Sequence, residues 1–380
     1  MRFAIDAHAI GRHLTGNEVY VRSLLGSFAA LDHDSDFVTY FSADDARRWT
    51  AERFQARQVS TNPFLRLGVE LSMRLRQDRP DVLHVQYTAP IGCPVPVVVS
   101  VHDVSFLVHP EYFPKLRAMQ LSFTVARTIR SAARILTVSD FSRDSIIEAY
   151  GESCARKIVV VPNAAASGLR PVSRDSATSA VRERFRLLTP FVLSVGDLQP
   201  RKNHIGLIAA FAELVRAYPQ LPHQLVLAGK DTWFSPKVRE AARQSGVAER
   251  IQFLGYVSDE ELLQLYNACE LFVFPSFYEG FGLPVLEAMA CGRAVACSST
   301  SSIPEVADSA AIMFDPYSRR EAVRAMADLL LDTELRTRME RLGLQRASRF
   351  SWRTAAQQTL EVYREVAAHR RDATREFVHR

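Results

Sequence analysis

Leu271-Phe272-Val273-Phe274, followed shortly by Glu279-Gly280-Phe281-Gly282-Leu283-Pro284-Val285-Leu286-Glu287, reads as a strand, a glycine turn and a helix opening. Four consecutive apolar residues suit a strand buried on both faces of a parallel sheet. Pro284 fits the first helical turn, where a missing N–H costs nothing. Glu279 then sits on the loop and Glu287 about one turn into the helix, with backbone N–H groups between them at the helix's positive end. Two carboxylates around such a donor array suit a ligand with both hydroxyls and an anion, as in a nucleotide sugar.

Working outward, short β-rich runs alternate with helical stretches. Strands are expected at 3–6, 37–41, 82–85, 96–101, 135–138 and 158–161, then at 191–195, 224–228, 251–254, 271–274 and 294–296. Helices are expected at 18–30, 116–133, 141–150, 205–217, 259–267, 287–291 and 320–331. Ser139 and Ser258 read as N-caps, and Ser258 with Glu261 forms a capping-box pattern. The stretch from Asn163 to Thr189 begins small and polar, without periodicity, and reads as a linker. The fold class is therefore α/β: two Rossmann-like, doubly wound parallel-sheet domains, at 1–168 and 187–351. A last helix opens at Trp352, with Ala355, Ala356, Leu360, Tyr363 and Val366 on one face. Ligands of such sheets bind at strand C-terminal ends, so two facing halves place the site in a cleft between them.

Composition narrows the function classes. The 380 residues are 47% hydrophobic and 23% charged, as in a globular protein that folds around its own core. The net charge of +5 comes from scattered Lys and Arg with no aromatic-basic stripe, so nucleic acid is not an expected partner. Met1 to Ile5 runs straight into Asp6, leaving no signal-peptide core. The longest apolar run, Pro94 to Val101, is too short to span a bilayer. Five cysteines form no metal spacing and read as reduced thiols of a cytoplasmic protein. The mild positive balance also suits diphosphate binding, or peripheral contact with the inner face of the cytoplasmic membrane. The basic tail, His369-Arg370-Arg371 onward, reads as a solvated helix end.

Other segments carry candidate chemistry. In Leu193-Ser194-Val195-Gly196-Asp197-Leu198-Gln199-Pro200-Arg201-Lys202-Asn203 a strand leads through a glycine loop to adjacent cations before a helix. Arg201 offers a planar fork for phosphate and Lys202 a point charge. The loop Gly11-Arg12-His13-Leu14-Thr15-Gly16-Asn17-Glu18 spaces its glycines like a P-loop, but Asn17-Glu18 replaces Lys-Ser/Thr, which disfavours nucleotide hydrolysis. A glycine here lets a phosphate or sugar approach the backbone; a plain turn fits the loop equally well. His102-Asp103 closes a buried strand at a sheet's C-terminal edge. Asp32-His33-Asp34-Ser35-Asp36 lies away from such edges and reads as an acidic turn, so no metal is expected.

Together these segments resemble the GT-B glycosyltransferases, specifically the retaining family GT4. The resemblance runs through Gly11–Gly16, His102-Asp103-Val104, Val138-Ser139-Asp140-Phe141-Ser142, Val161-Pro162-Asn163 and Pro200-Arg201-Lys202-Asn203. It continues through Phe253-Leu254-Gly255-Tyr256-Val257, the Glu279/Glu287 pair and Ser302-Ile303-Pro304-Glu305-Val306. It implies that Glu279 binds donor-sugar hydroxyls, helped by the backbone of Phe281, Gly282 and Leu283, and that Glu287 binds the ribose. Val257 would contact the nucleotide. Arg201 and Lys202 would neutralise the departing diphosphate, Gly16 would bring its backbone near it, and His102 would contact the sugar near the reacting carbon. It also implies that the last helix returns to the first domain, that no metal or cofactor is needed beyond the nucleotide-diphosphate sugar, and that the acceptor is a glycan or lipid-linked molecule.

The pattern departs from the family at Asp197, where many relatives carry Arg after the glycine, and at Cys291-Gly292-Arg293-Ala294, which lacks the usual Pro. Asp259 is placed either to accept from the N1 and N2 groups of guanine or to serve the first turn of its helix. The expected activity is hexose transfer in cell-surface polysaccharide synthesis, leaning to GDP-mannose. A UDP-sugar transferase, a sugar-nucleotide epimerase and a non-catalytic sugar-nucleotide-binding subunit are the alternatives.

Overall fold

The computed structural model describes residues 1–12, 15–43, 49–188 and 190–378. His13 and Leu14 of the glycine loop and the final two residues of the tail lie outside them. The chain divides into two compact units, one made of Met1–Asn163 with the segment from Ser351 onward, the other of Ala164–Phe350.

Among the described residues the first unit holds seven strands: β1 (Arg2–Asp6), β2 (Asp36–Phe41), β3 (Gln55–Gln58), β4 (Val82–Gln86), β5 (Val97–Ser100), β6 (Arg134–Thr137) and β7 (Ile158–Val160). They pair in parallel in the order β3-β2-β1-β4-β5-β6-β7. The second unit holds β8 (Phe191–Val195), β9 (Gln224–Ala228), β10 (Ile251–Gly255), β11 (Leu271–Phe274), β12 (Val295–Ser298) and β13 (Ile312–Phe314). Their parallel order is β10-β9-β8-β11-β12-β13. Both sheets are Rossmann-like. Strand order reverses between β1 and β4 in one sheet and between β8 and β11 in the other, which is where such sheets bind ligands. The apolar runs make the buried strands: every residue of β4, β5, β11 and β12 is buried.

Local signals end the helices as their residues dictate. Ser258 and Glu261 form the reciprocal capping box of Asp259–Ala268, and Ser139 accepts the Ser142 N–H at the start of Asp140–Tyr150. Asp32 makes the acidic stretch a turn, accepting from the N–H groups of Asp34 and Ser35 and from the Ser35 hydroxyl. The last helix, Trp352–Val378, buries all six residues of its anticipated apolar face and packs on Thr15–Leu31 in the first unit. Tyr363 seats beside Phe3 and Phe28, and Arg364 pairs with Asp32 at 2.9 Å.

One expectation needs correction. The supposed linker between Asn163 and Thr189 contains a helix, Arg174–Phe185, that belongs to the second unit, so that unit begins at Ala164 and not at 187. Ala177 and Val181, one turn apart, are buried, and Ser173 caps the helix. The approach to it is held by Asn267, which accepts the Val172 N–H and donates to the Arg170 carbonyl. Two apolar residues among many polar ones are enough where a neighbouring helix supplies the partners. Edge strands β3 and β13 and the helices Leu71–Asp78, Ser235–Gln244 and Thr333–Ala347 were likewise not anticipated.

Candidate active site

In the second unit the two strands at the order reversal, β8 and β11, each release a loop that carries candidate residues. After β8 the chain passes Gly196 and makes a short turn, Pro200–Lys202. Asn203 then takes a left-handed conformation (φ 53°) and caps His204–Ala217, its Oδ1 accepting the Gly206 N–H while its Nδ2 donates to the Pro316 carbonyl at 2.9 Å. A side chain at Gly196 would press on the Lys202 stem, its Cβ falling 3.2 Å from both Cδ and Cε. The glycine is what lets the lysine run back over the strand end.

The loop after β11 is fixed from two sides. The Phe277 N–H donates to the Arg201 carbonyl at 2.8 Å, tying it to the first loop. Residues after β12 grip it from the other side: the Glu279 N–H donates to Ser301 Oγ at 3.0 Å, Ser302 Oγ donates to the Glu279 carbonyl at 2.8 Å, and Thr300 Oγ1 donates to that of Phe277 at 2.9 Å. Gly282, left-handed at φ 95°, then turns the chain into Leu283–Ala290 with Pro284 in its first turn.

This scaffold brings three charged groups together. Lys202 Nζ donates to Glu279 Oε1 and Arg201 Nη1 to Glu279 Oε2, both at 2.7 Å. Lys202 is also 4.7 Å from the centroid of the Phe274 ring, a cation–π contact. Burial pushes the Glu279 carboxyl up, but the charges of Arg201 and Lys202 outweigh it and bring its pKa down to about 2. Glu279 is therefore ionised and oriented before any ligand arrives. The ammonium has three N–H donors and Glu279 takes one, so Lys202 can serve an anion without leaving the carboxylate.

Glu287 lies on the same helix opening and is buried. Burial pushes its pKa up to about 7, against a 2.9 Å hydrogen bond from Tyr266 Oη; the charge of Asp259 adds to the rise and that of Lys202 opposes it. Phe281 is buried edge-on against Phe350, so only its backbone can serve a ligand. Val257 is half-buried in the turn after β10.

His102 and Gly16 belong to the first unit. His102 follows β5, its ring edge-on to Tyr20 at 4.6 Å and its Nε2 3.2 Å from Gln86 Oε1. Its Nδ1 is buried and has no hydrogen-bond partner among the described residues. Burial lowers its pKa to about 4, leaving a neutral ring at working pH. Gly16 falls in the exposed first turn of Thr15–Leu31 and not in the loop before it.

Two supporting residues, Tyr266 and Lys230, carry no signal in the sequence. Tyr266 gave no signal, since a tyrosine in a helix's last turns reads as core. Lys230, just past β9, has its N–H on Asp197 Oδ1 at 3.2 Å and its Nζ 4.0 Å from Oδ2. It brings a cation beside Asp197, the residue after Gly196.

Comparison with known proteins gives the family and the fold. The family models for "Glycosyltransferase Family 4" and "Glycosyl transferases group 1" match residues 14–165 and 177–346. The O-antigen chain mannosyltransferase B of Escherichia coli is 36% identical over 267 residues, covering 70% of each chain. The serotype-specific mannosyltransferase WbdA of Escherichia coli is 29% identical over 309 residues, 74% of this chain; the chain spans only 36% of WbdA's length. Among solved structures, Anabaena HepE in complex with UDP-glucose is 20% identical with a TM-score of 0.76, covering 96% of this chain and 99% of that one, a likeness of fold. The fold is GT-B, and the chain belongs to the family 4, group 1 glycosyltransferases.

Proposed function

We propose that this glycosyltransferase moves a hexose, with retention of anomeric configuration, from a nucleotide-diphosphate sugar to a glycan or lipid-linked acceptor in cell-surface polysaccharide synthesis. The observation that carries the reading is the convergence of Lys202 and Arg201 on Glu279, beside Glu287, at the β8/β11 reversal. Two cations there suit a diphosphate and the carboxylates suit sugar and ribose hydroxyls. The bond from the anomeric carbon to the phosphate oxygen breaks, the acceptor oxygen bonds that carbon on the same face, and the departing phosphate takes the acceptor's proton. Lys202 and Arg201 stabilise the charge that develops on the leaving group. His102, with its neutral ring, and the Gly16 backbone are further candidate donor contacts in this reading, and no metal is needed.

The donor is GDP-mannose in this reading. Two similar proteins are named mannosyltransferases, and Asp259, in the first turn of Asp259–Ala268, is the carboxylate assigned to guanine in this reading. The test is turnover of GDP-mannose against UDP-glucose without acceptor and with lipid-linked glycans, in wild type and Asp259→Asn. Slow hydrolysis of GDP-mannose, retained stereochemistry and a selective loss of GDP affinity in the variant are expected. Preferred turnover of UDP-glucose would reassign the base, and binding without turnover under any acceptor would leave a non-catalytic subunit.

A further inference from the structure

A single exposed aromatic side chain needs no explanation. Tyr317, on the loop after β13, is 68% exposed but does not stand alone. Its ring lies on that of Phe277, on the loop after β11, with centroids 4.7 Å apart and planes inclined at 23°. Phe277 is itself half-buried. Backed on one side and open to this extent, the Tyr317 ring keeps its other face toward solvent.

The backbone presenting this pair is fixed by the residues that build the candidate site. The Pro316 carbonyl accepts from the buried Asn203 side chain, the Tyr317 N–H donates to Asp315 Oδ1 at 2.9 Å, and the Ser318 N–H donates to the Asp315 carbonyl at 2.9 Å. Ser318 then caps Arg319–Leu331. On the other loop the Phe277 N–H rests on the Arg201 carbonyl and Arg201 Nη1 reaches the Tyr278 carbonyl at 3.2 Å. An aromatic ring held outside the core on an ordered backbone loses little freedom when a ligand covers it.

We propose that the Tyr317 ring, backed by Phe277, is a stacking platform for a pyranose ring of the acceptor glycan. The C–H groups on one face of a pyranose are slightly positive and pack on the negative face of an aromatic ring, while the hydroxyls at the rim stay solvated. Position along the sheet selects a sugar over a nucleobase. β10 and β13 are the two edges of the second sheet. The base-contact candidates Val257 and Asp259 follow β10, the cations Arg201 and Lys202 follow β8, and Glu279 follows β11. Tyr317, after β13, belongs to the edge opposite the base. Glu279 and the backbone after it take the donor hexose, which leaves the platform to a sugar ring of the acceptor. The inference deepens the proposed transfer to a glycan, rests on that reading for the role of the bound sugar, and assigns recognition of the acceptor to its carbohydrate.

The experiment is saturation-transfer NMR of the full chain, with and without GDP, against the methyl glycosides of mannose, glucose, galactose and N-acetylglucosamine, with sorbitol as an open-chain polyol control. Ring C–H protons of at least one glycoside should receive saturation from wild type, and sorbitol should receive none. Tyr317→Ala should weaken binding of that glycoside by about three- to tenfold, the range of a stacked ring pair. Tyr317→Phe, which keeps the ring, should bind it as wild type does. Tyr317→Trp should show an emission shift that saturates as the glycoside is titrated. Thermal unfolding of Tyr317→Ala should match wild type. No transfer to any glycoside in wild type, or equal binding by wild type and Tyr317→Ala, would overturn the proposal. So would a comparable fall in GDP affinity in Tyr317→Ala, which would give the ring to the nucleotide. GDP binding by wild type is read separately, so a failure of the donor reading is distinguishable from a failure of the platform.

Discussion

At the scale of single residues, the two glutamates of one strand–loop–helix unit are driven in opposite directions. Glu279, held by two cations, has its pKa brought down to about 2; Glu287, buried beside a tyrosine hydroxyl, has its own pushed up to about 7. Signs follow from linkage. The ordinary carboxyl value is 4.5, so Glu287 favours the folded state most below that pH and loses the contribution as pH rises through 7. From about 4.5 to 7 that is on the order of 3 kcal/mol. Glu287→Gln should therefore flatten the unfolding free energy of the donor-free protein between pH 5 and 8, measured by urea titration. A carboxylate that accepts ribose hydroxyls does so best when ionised. Donor affinity should accordingly rise as pH increases through 7 in wild type, and the Gln variant should lose that dependence. Tyr266→Phe removes the hydrogen bond that opposes the rise, so the midpoint should move upward.

At the scale of elements, the site is built where loops after β8, β11 and β12 meet, and glycines set their spacing. Gly229 lies against Gly196: a Cβ on Gly229 would fall 2.0 Å from the Gly196 carbonyl oxygen. Gly229→Ala should therefore shift the loop that carries Lys202 and destabilise the second unit by about 1–3 kcal/mol, read by chemical denaturation together with weakened GDP binding. Ser302→Ala, which frees the buried Glu279 carbonyl, should cost about 1–3 kcal/mol. Most of this level was legible beforehand. Buried parallel strands are written as continuous apolar runs, and the capping box at Ser258 and Pro284 in its helix opening mark boundaries through local chemistry. What stayed illegible depends on long-range contacts. Strand β3, Gln-Ala-Arg-Gln, has no apolar run because it is an edge strand whose partner supplies the order. Helix Arg174–Phe185 needs Asn267 and the helix Asp259–Ala268 to define it. The Glu279, Lys202 and Arg201 grouping was legible because all three follow strands at the reversal; Tyr266 and Lys230 were not, since nothing in their neighbourhoods marks where they point.

At the scale of the whole molecule, the chain leaves the first unit, builds the second and returns. The returning helix inserts Tyr363 into a buried polar chain: its hydroxyl bonds His84 Nδ1, His84 Nε2 lies 2.7 Å from Ser100 Oγ, and Ser100 Oγ lies 2.7 Å from Tyr20 Oη. The Tyr20 ring then supports His102. The last helix is thus part of the first unit's core and steadies a candidate donor-contacting residue far away in sequence. Tyr363→Phe leaves a buried ring nitrogen unpaired and should cost about 1–3 kcal/mol. Hydrogen exchange should localise the loss to β1, β4 and β5, with the second unit's protection unchanged. The central claim, that Lys202, Arg201, Glu279 and Glu287 form one diphosphate-sugar site, is tested most directly by calorimetric titration of GDP into wild type, Lys202→Ala and Asp34→Ala. The account predicts that Lys202→Ala weakens binding by about 1.5–3 kcal/mol, the size of a hydrogen bond to a charged group, while Asp34→Ala binds as wild type. Unchanged GDP affinity in Lys202→Ala would contradict it.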